Sequence, residues 1–409
     1  MRIVASIIIV VLFVSTSFAQ RMDANGWSSE QNSFVQAYGF FSASSSDFSS
    51  KFLRQAFLGD EISSAQIADQ YALLNSKINS FGADYESALR LKLGLLNSGS
   101  FLFKISDFAH ADASLDKKLF GLAFKGNAPY AGDSVFFKPS QFNYYKYQQL
   151  GIGYEFELNE DTRLFAMISA INAQSATSAA LFRGGLYTSS FGDTLYTDAY
   201  ASGFFTNNDK RSNGGGAALS FGINANLLIG NSDWLVNMAF ENIGLVQYSN
   251  TTQFSVDTAV TYVGFEVNDF SQNVGADIRT QVEDSLLSGF DEVSSKTWNN
   301  AGLPGYAQFS MQRQVESGLA VAFGGTYRWQ SSFKTYAWLS GGYQFENGLS
   351  LMGEAGYGGY TSFQFGASAM LALDQLQIQA RVANIVRLAT SNKNLGLTAF
   401  LGIQYQFEL

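Results

Sequence analysis

From Leu395 to Leu409 the chain alternates without a break. Leu395, Leu397, Ala399, Leu401, Ile403, Tyr405, Phe407 and Leu409 share one face, and Gly396, Thr398, Phe400, Gly402, Gln404, Gln406 and Glu408 share the other. Side chains of a strand point to opposite faces with period two, so one face is apolar throughout and the other is mostly small or polar. Such a strand suits the wall of a transmembrane β-barrel, with lipid outside and water inside. It suits a half-buried strand of a soluble sandwich equally well, and the rest of the chain has to separate the two.

The N-terminus reads as an export signal. Arg2 supplies positive charge, Ile3 to Val14 is apolar apart from Ser6, and Ser17-Phe18-Ala19 is a small-x-small cleavage site. The apolar run is about a dozen residues, shorter than the roughly 20 that a helical span needs. Residues 1–19 are therefore expected to be a cleaved signal peptide, and residues 20–409 one exported domain. The chain has no cysteine, which excludes disulfides and a lipidated N-terminal Cys. No other apolar run is long enough for a helical span. Yet 46% of residues are hydrophobic and only 14% charged, where soluble domains carry about 25% charged residues. Only helices and closed barrels satisfy backbone polarity in lipid, so the balance favours a barrel. Aromatic residues make up 15% of the chain, as interfacial girdles require, and there are only 3 prolines to interrupt ladders. A net charge of −9 argues against nucleic acid as a partner.

The alternation recurs upstream. Leu319, Val321, Phe323, Tyr327 and Trp329 oppose Ala320, Ala322, Gly324, Thr326 and Arg328. Glu346-Asn347-Gly348 is a hairpin signal, and Gly356, Gly358 and Gly359 mark a further turn. Phe363 to Leu373 and Leu376 to Val382 flank a short turn at Asp374. In the middle, Ile152 to Leu158, Leu164 to Ile171, Ala217 to Leu227 and Trp234 to Phe240 repeat the habit. At roughly 10 residues per strand, an all-β, antiparallel transmembrane barrel of about 14 strands is expected, with about 12 or 16 as neighbours. Its candidate lumen-facing polar residues are Arg328, Glu354, Arg381, Gln404 and Glu408.

Two stretches break the period. Residues 62–78 and 276–290 place apolar side chains near helical spacing. The first is a short N-terminal helix and a candidate plug, and the second a loop helix; bracing the barrel is the plainer role for both. Little here is catalytic. His110 is the only histidine, no Gly-x-Ser-x-Gly elbow is present, and Gly214-Gly215-Gly216 opens a strand instead of a phosphate-binding helix. Acidic loops such as Asn207-Asn208-Asp209 lack calcium-loop spacing. Neither enzyme activity nor a cofactor is expected.

Four blocks carry a family resemblance: Phe57-Leu58-Gly59-Asp60-Glu61-Ile62-Ser63 with the following helix, Lys125-Gly126-Asn127-Ala128-Pro129-Tyr130-Ala131-Gly132, Glu241-Asn242-Ile243-Gly244-Leu245-Val246-Gln247-Tyr248, and Gly302-Leu303-Pro304. In order and spacing they resemble an uncharacterised family of Bacteroidota outer-membrane barrels classed by a domain of unknown function. That family is similar in fold to FadL-like transporters and to barrels associated with type IX secretion. The chain departs from its pattern where Asp-x-Gly reads Asn242-Ile243-Gly244 and where Gly-Gly-Tyr reads Gly59-Asp60-Glu61. The resemblance implies an outer-membrane barrel and carries over no catalytic residue.

Two functions compete. One is a porin-like or FadL-like conduit for small or apolar solutes, with a lumen of Gln, Ser, Asn and a few charges suited to passive passage. The other is a structural or docking barrel of a secretion or surface assembly. Outer-membrane lipid, the barrel assembly machinery and either a small solute or a secretion-system partner are the expected partners. Tyr405, Phe407 and Leu409 resemble the terminal assembly signal of such barrels, although most end on an aromatic residue.

Overall fold

In the computed structural model, seventeen strands among the described residues form one sheet, and it closes on itself. The structure describes residues 33–58, 61–95, 99–192, 194–206, 211–230, 232–263, 297–314, 318–329, 331–383 and 396–408. The expected signal peptide and the expected loop helix at 276–290 lie outside these residues. In chain order the strands are β1 (Ser33–Ser45), β2 (Ile78–Leu95), β3 (Gly99–Asp116), β4 (Ser134–Phe137), β5 (Ser140–Asn159), β6 (Thr162–Thr188), β7 (Thr194–Thr206), β8 (Gly214–Ile229) and β9 (Ser232–Val263). They continue with β10 (Thr297–Gly302), β11 (Tyr306–Gln314), β12 (Leu319–Arg328), β13 (Lys334–Gln344), β14 (Leu349–Gly359), β15 (Phe363–Leu373), β16 (Leu376–Ala383) and β17 (Gly396–Phe407).

Fourteen of these make the barrel, all paired antiparallel. The ring closes where β1 meets β17, from Ser33 opposite Phe407 to Ser44 opposite Gly396. Strands β4, β7 and β10 are extensions. They take the places that β5, β8 and β11 leave when β6 and β9 run on past them. Thus β6 pairs with β8 up to Ala173 and then with β7 from Thr177 to Thr188. Strand β9, 32 residues long, likewise passes from β8 to β7.

Connections at the end holding Ser33 and Phe407 are short. Gly348 (φ 82°) and Asp374 (φ 44°) turn two of them, in the left-handed region that such tight hairpins use. The opposite end carries the long connections.

Faces follow the period-two rule with the polarity of a water-soluble protein reversed. Outward positions hold exposed apolar side chains, among them Ile105 at 56%, Ile168 at 66%, Leu245 at 67% and Leu339 at 62%. Inward positions on the same strands hold buried polar and charged ones, such as Glu86, Arg90, Lys104, Glu155 and Arg381.

Among the described residues, three α-helices occupy the long-connection end: α1 (Ser50–Leu58) and α2 (Ser64–Leu73) between β1 and β2, and α3 (Lys117–Lys125) after β3. The helix expected over 62–78 is α2, and it is shorter. Ser63 caps it through a capping box with Gln66. Leu74 then leaves helical geometry at ψ 133°, and Ile78 already belongs to the alternation of β2. The helix is also no plug. Ile67 and Tyr71 join Phe48, Phe52 and Phe120 against Phe81, Ala113 and Phe142. Those three wall residues share the outward alternation of Leu89, Ile105 and Leu150. The helices therefore brace the wall from outside.

Candidate functional site

Strand β2 places Asp84, Glu86, Ala88, Arg90 and Lys92 on its inward face, one every second residue. Strand β3 answers with Lys104, Ser106, Phe108, His110 and Asp112. Charges buried at this density need partners, because an uncompensated buried ion costs several kcal/mol. Some partners stand on the adjacent strand and others come from across the barrel.

The connection pairing is that of Arg328. It ends β12, which stands seven strands from β2 around the ring of 14, on the opposite wall. Its Nη1 donates to both Asp84 oxygens at 2.7 Å. Asp84 also meets His110 Nδ1 at 2.8 Å. One turn of alternation higher, Asp112 receives the segment between β12 and β13. Ser332 donates to it from its backbone N–H at 2.7 Å and also from its hydroxyl, and Tyr360, after β14, donates from its hydroxyl at 3.3 Å. Tyr360 can reach so far in because Gly82 has no side chain: a Cβ there would fall 2.0 Å from the Tyr360 ring. Ser46 N–H donates to the Tyr360 carbonyl at 3.0 Å. These contacts form a latch across the long-connection mouth.

Deeper in the barrel, Lys104 meets Glu86 at 2.9 Å and Glu241 of β9 at 3.7 Å. Lys92 meets Glu155 at 2.6 Å. Tyr38 donates to Glu86 at 3.2 Å and lies 4.8 Å beneath the Arg90 guanidinium. Nearer the terminal end, Phe34, Leu102, Phe165 and Met167 close into an apolar cluster. A larger one, with Phe108, Tyr147, Ile171 and Tyr248, fills the β3–β9 side around Leu303. Leu303 turns inward where the β9 pairing passes from β10 to β11. The expected lumen of Gln, Ser and Asn with a few charges is thus crossed by ion pairs and apolar contacts, because side chains long enough to bridge the interior face one another.

Of the expected lumen residues, Glu354 and Arg381 form an ion pair, joined by the Tyr336 hydroxyl at 3.0 Å. Arg328 lies in the separate Asp84 cluster. Gln404 is buried on the inward face of β17. Glu408 follows the last strand residue, Phe407, and is exposed. The β2 and β3 charges escaped the sequence reading. The signal was present in Asp84 to Lys92, where charges alternate with Tyr85, Leu89 and Leu91.

Beneath the latch lies a cavity of ≈ 40 Å³, bounded by Asp84, Arg328 and Tyr360 above and by β1, β11, β12, β17 and Gln364 of β15 at the sides. Among the described residues no cluster of three or more His, Asp or Glu side chains is placed to hold a metal ion.

Three solved barrels are similar to the chain. The toluene transporter TodX of P. putida is 9% identical over 94% of this chain and 92% of its own, with a TM-score of 0.44. A FadL homologue of Pseudomonas aeruginosa is 10% identical over 93% and 91%, with a TM-score of 0.43. The toluene transporter TbuX of Ralstonia pickettii is 8% identical over 94% and 91%, with a TM-score of 0.42. At these scores the likeness adds nothing to what the strand order already establishes. No curated protein matches. One family profile does, over residues 31–380, and the chain belongs to it: the Family of unknown function (DUF5723).

Proposed function

We propose that this protein is an outer-membrane barrel that conducts a small solute through its interior, and that the conformation described here is its closed state. The membrane reading rests on the outward rows of exposed Ile105, Ile168, Leu245 and Leu339, which would have no cover in water. The short-connection end then faces the periplasm and the latch faces outward. Export by a cleaved signal peptide and insertion by the barrel assembly machinery belong to the same reading.

One observation carries the conduit: opposite walls are joined by Arg328 on Asp84 and by Ser332 and Tyr360 on Asp112. Apolar filling closes a barrel at least as stably as buried ion pairs do. Polar contacts from a short connecting segment can part and re-form in water, which a gate needs and a permanent seal does not. Planar-bilayer recording tests it. Little conductance is expected from the wild type and clear channel activity from a latch-broken variant such as Arg328→Ala. Silence from both, with no solute uptake into proteoliposomes, overturns the reading.

A docking barrel of a secretion or surface assembly is the second reading, and the extension sheet favours it. A span takes about 10 residues of a tilted strand, so the last dozen or so of β6 stand clear of lipid. There Phe182, Tyr187, Tyr196 and Tyr200 remain exposed. Gentle detergent extraction separates the two: a stoichiometric co-purifying protein supports docking, and a lone barrel supports conduction.

A further inference from the structure

The cavity beneath the latch has a definite chemistry. Arg328 and Asp84 neutralise each other at its roof. Gln308 of β11 and Thr326 of β12 are direct cross-strand neighbours on its wall, both buried and facing inward. Across from them stand Ser44 and the hydrogen-bonded pair Ser42 and Thr398, whose hydroxyls lie 3.0 Å apart. No side-chain hydrogen bond joins Gln308, Thr326 or Ser44 to another described residue. Their polar atoms face the cavity, so an occupant that hydrogen-bonds to them is favoured over one that does not. Phe40, Tyr306 and Phe333 provide flat apolar walls between these groups.

We infer that this cavity is a selectivity site for small, neutral, multiply hydroxylated solutes. The inference rests on the conduit reading for its biological use, but not for the binding itself. An anion would face the Asp84 carboxylate and a cation the Arg328 guanidinium, so a net charge of either sign is opposed. A hydrocarbon would leave the Gln308 amide and the Thr326 and Ser44 hydroxyls unbonded. A polyol offers both donors and acceptors to those groups and C–H faces to Phe40 and Phe333. The present volume holds about three waters at ~10–15 Å³ each, so a polyol enters only once the latch has loosened.

The test is saturation-transfer NMR on the full chain in detergent, with erythritol as the probe. Propionate and ethylammonium serve as charged controls, and excess benzene as an apolar competitor. Wild type and a latch-weakened Ser332→Ala variant are titrated in parallel. Saturable erythritol binding is expected, unaffected by benzene, and roughly tenfold weaker after Gln308→Leu with Thr326→Val, because the hydrogen bonds are lost with little change of volume. Heat-modifiable gel migration verifies folding, and Thr326→Val alone replaces the double variant if that one fails to fold. Absence of erythritol binding in both wild type and Ser332→Ala overturns the inference, as does equal binding of propionate or unchanged binding in the wall variant. Proteoliposome swelling keeps the two readings apart. In the latch-weakened variant, binding without flux sinks the conduit and leaves the site, whereas flux without saturable binding does the opposite.

Discussion

Arg328 and Asp84 are 244 positions apart in sequence and on opposite walls of the barrel, yet one guanidinium nitrogen sits 2.7 Å from both carboxylate oxygens. The pair spans the interior instead of reinforcing a ladder. Backbone pairing of neighbouring strands already fixes the wall, so this contact contributes to the state of the mouth more than to the existence of the barrel.

Arg328→Ala leaves Asp84 buried with His110 as its remaining partner. Breaking a buried ion pair from one side costs about 3 kcal/mol, and much of that cost is the stranded charge. Removing both partners, with Asp84→Ala added, is expected to restore part of the stability while keeping the mouth open. Urea titrations in vesicles read the first effect and bilayer conductance the second. Strictly additive losses would show that the two residues do not interact.

Gly82→Ala tests the latch without touching a charge. The new methyl would fall 2.0 Å from the Tyr360 ring, so the ring has to move. Overpacking of this kind costs about 1–3 kcal/mol. Amide exchange at Ser46 and Ser332, which donate to Tyr360 and Asp112, is expected to speed up. Unchanged protection at both would mean that Tyr360 does not hold the mouth.

Ser63→Ala separates a brace from a plug. Loss of an N-cap costs about 1 kcal/mol, and exchange at Gln66 and Ile67 should rise accordingly. Helix α2 lies against the outward residues Phe81, Ala113 and Phe142, so conductance should not change. A rise in conductance would put the helix in the path of the solute.

Much of the wall was legible because alternation is a local signal. The Asn347-Gly348 hairpin and the Asp374 turn delimit β13 to β16 in the sequence as they do in the structure. Alternation does not tell how far a strand runs beyond the membrane, so the insertion of β7 between β6 and β9 was hidden. The extent of α2 was misjudged because Ile78 satisfies helical and strand periods at once. The cross-barrel contacts were out of reach for a different reason. Register fixes a residue's face and its neighbours on adjacent strands, but Asp84 meets Arg328 only through the width and curvature of the closed ring.

Ile168→Lys and Leu245→Lys test the premise beneath all of this. Both wild-type side chains are about two-thirds exposed on the outward face, with apolar residues of adjacent strands beside them. In water, an exposed apolar residue replaced by lysine changes stability little. In lipid, lysine on the outer face of a barrel costs about 2–4 kcal/mol near the midplane and less than about 1 kcal/mol near the interfaces. Folding into vesicles of defined thickness, followed by heat-modifiable gel migration, is expected to fall for at least one of the two. The loss should shrink in thinner bilayers, where the new ammonium reaches headgroups more readily. Equal folding of both variants and the wild type, together with recovery in the soluble fraction, would place these rows in water and remove the membrane from the account.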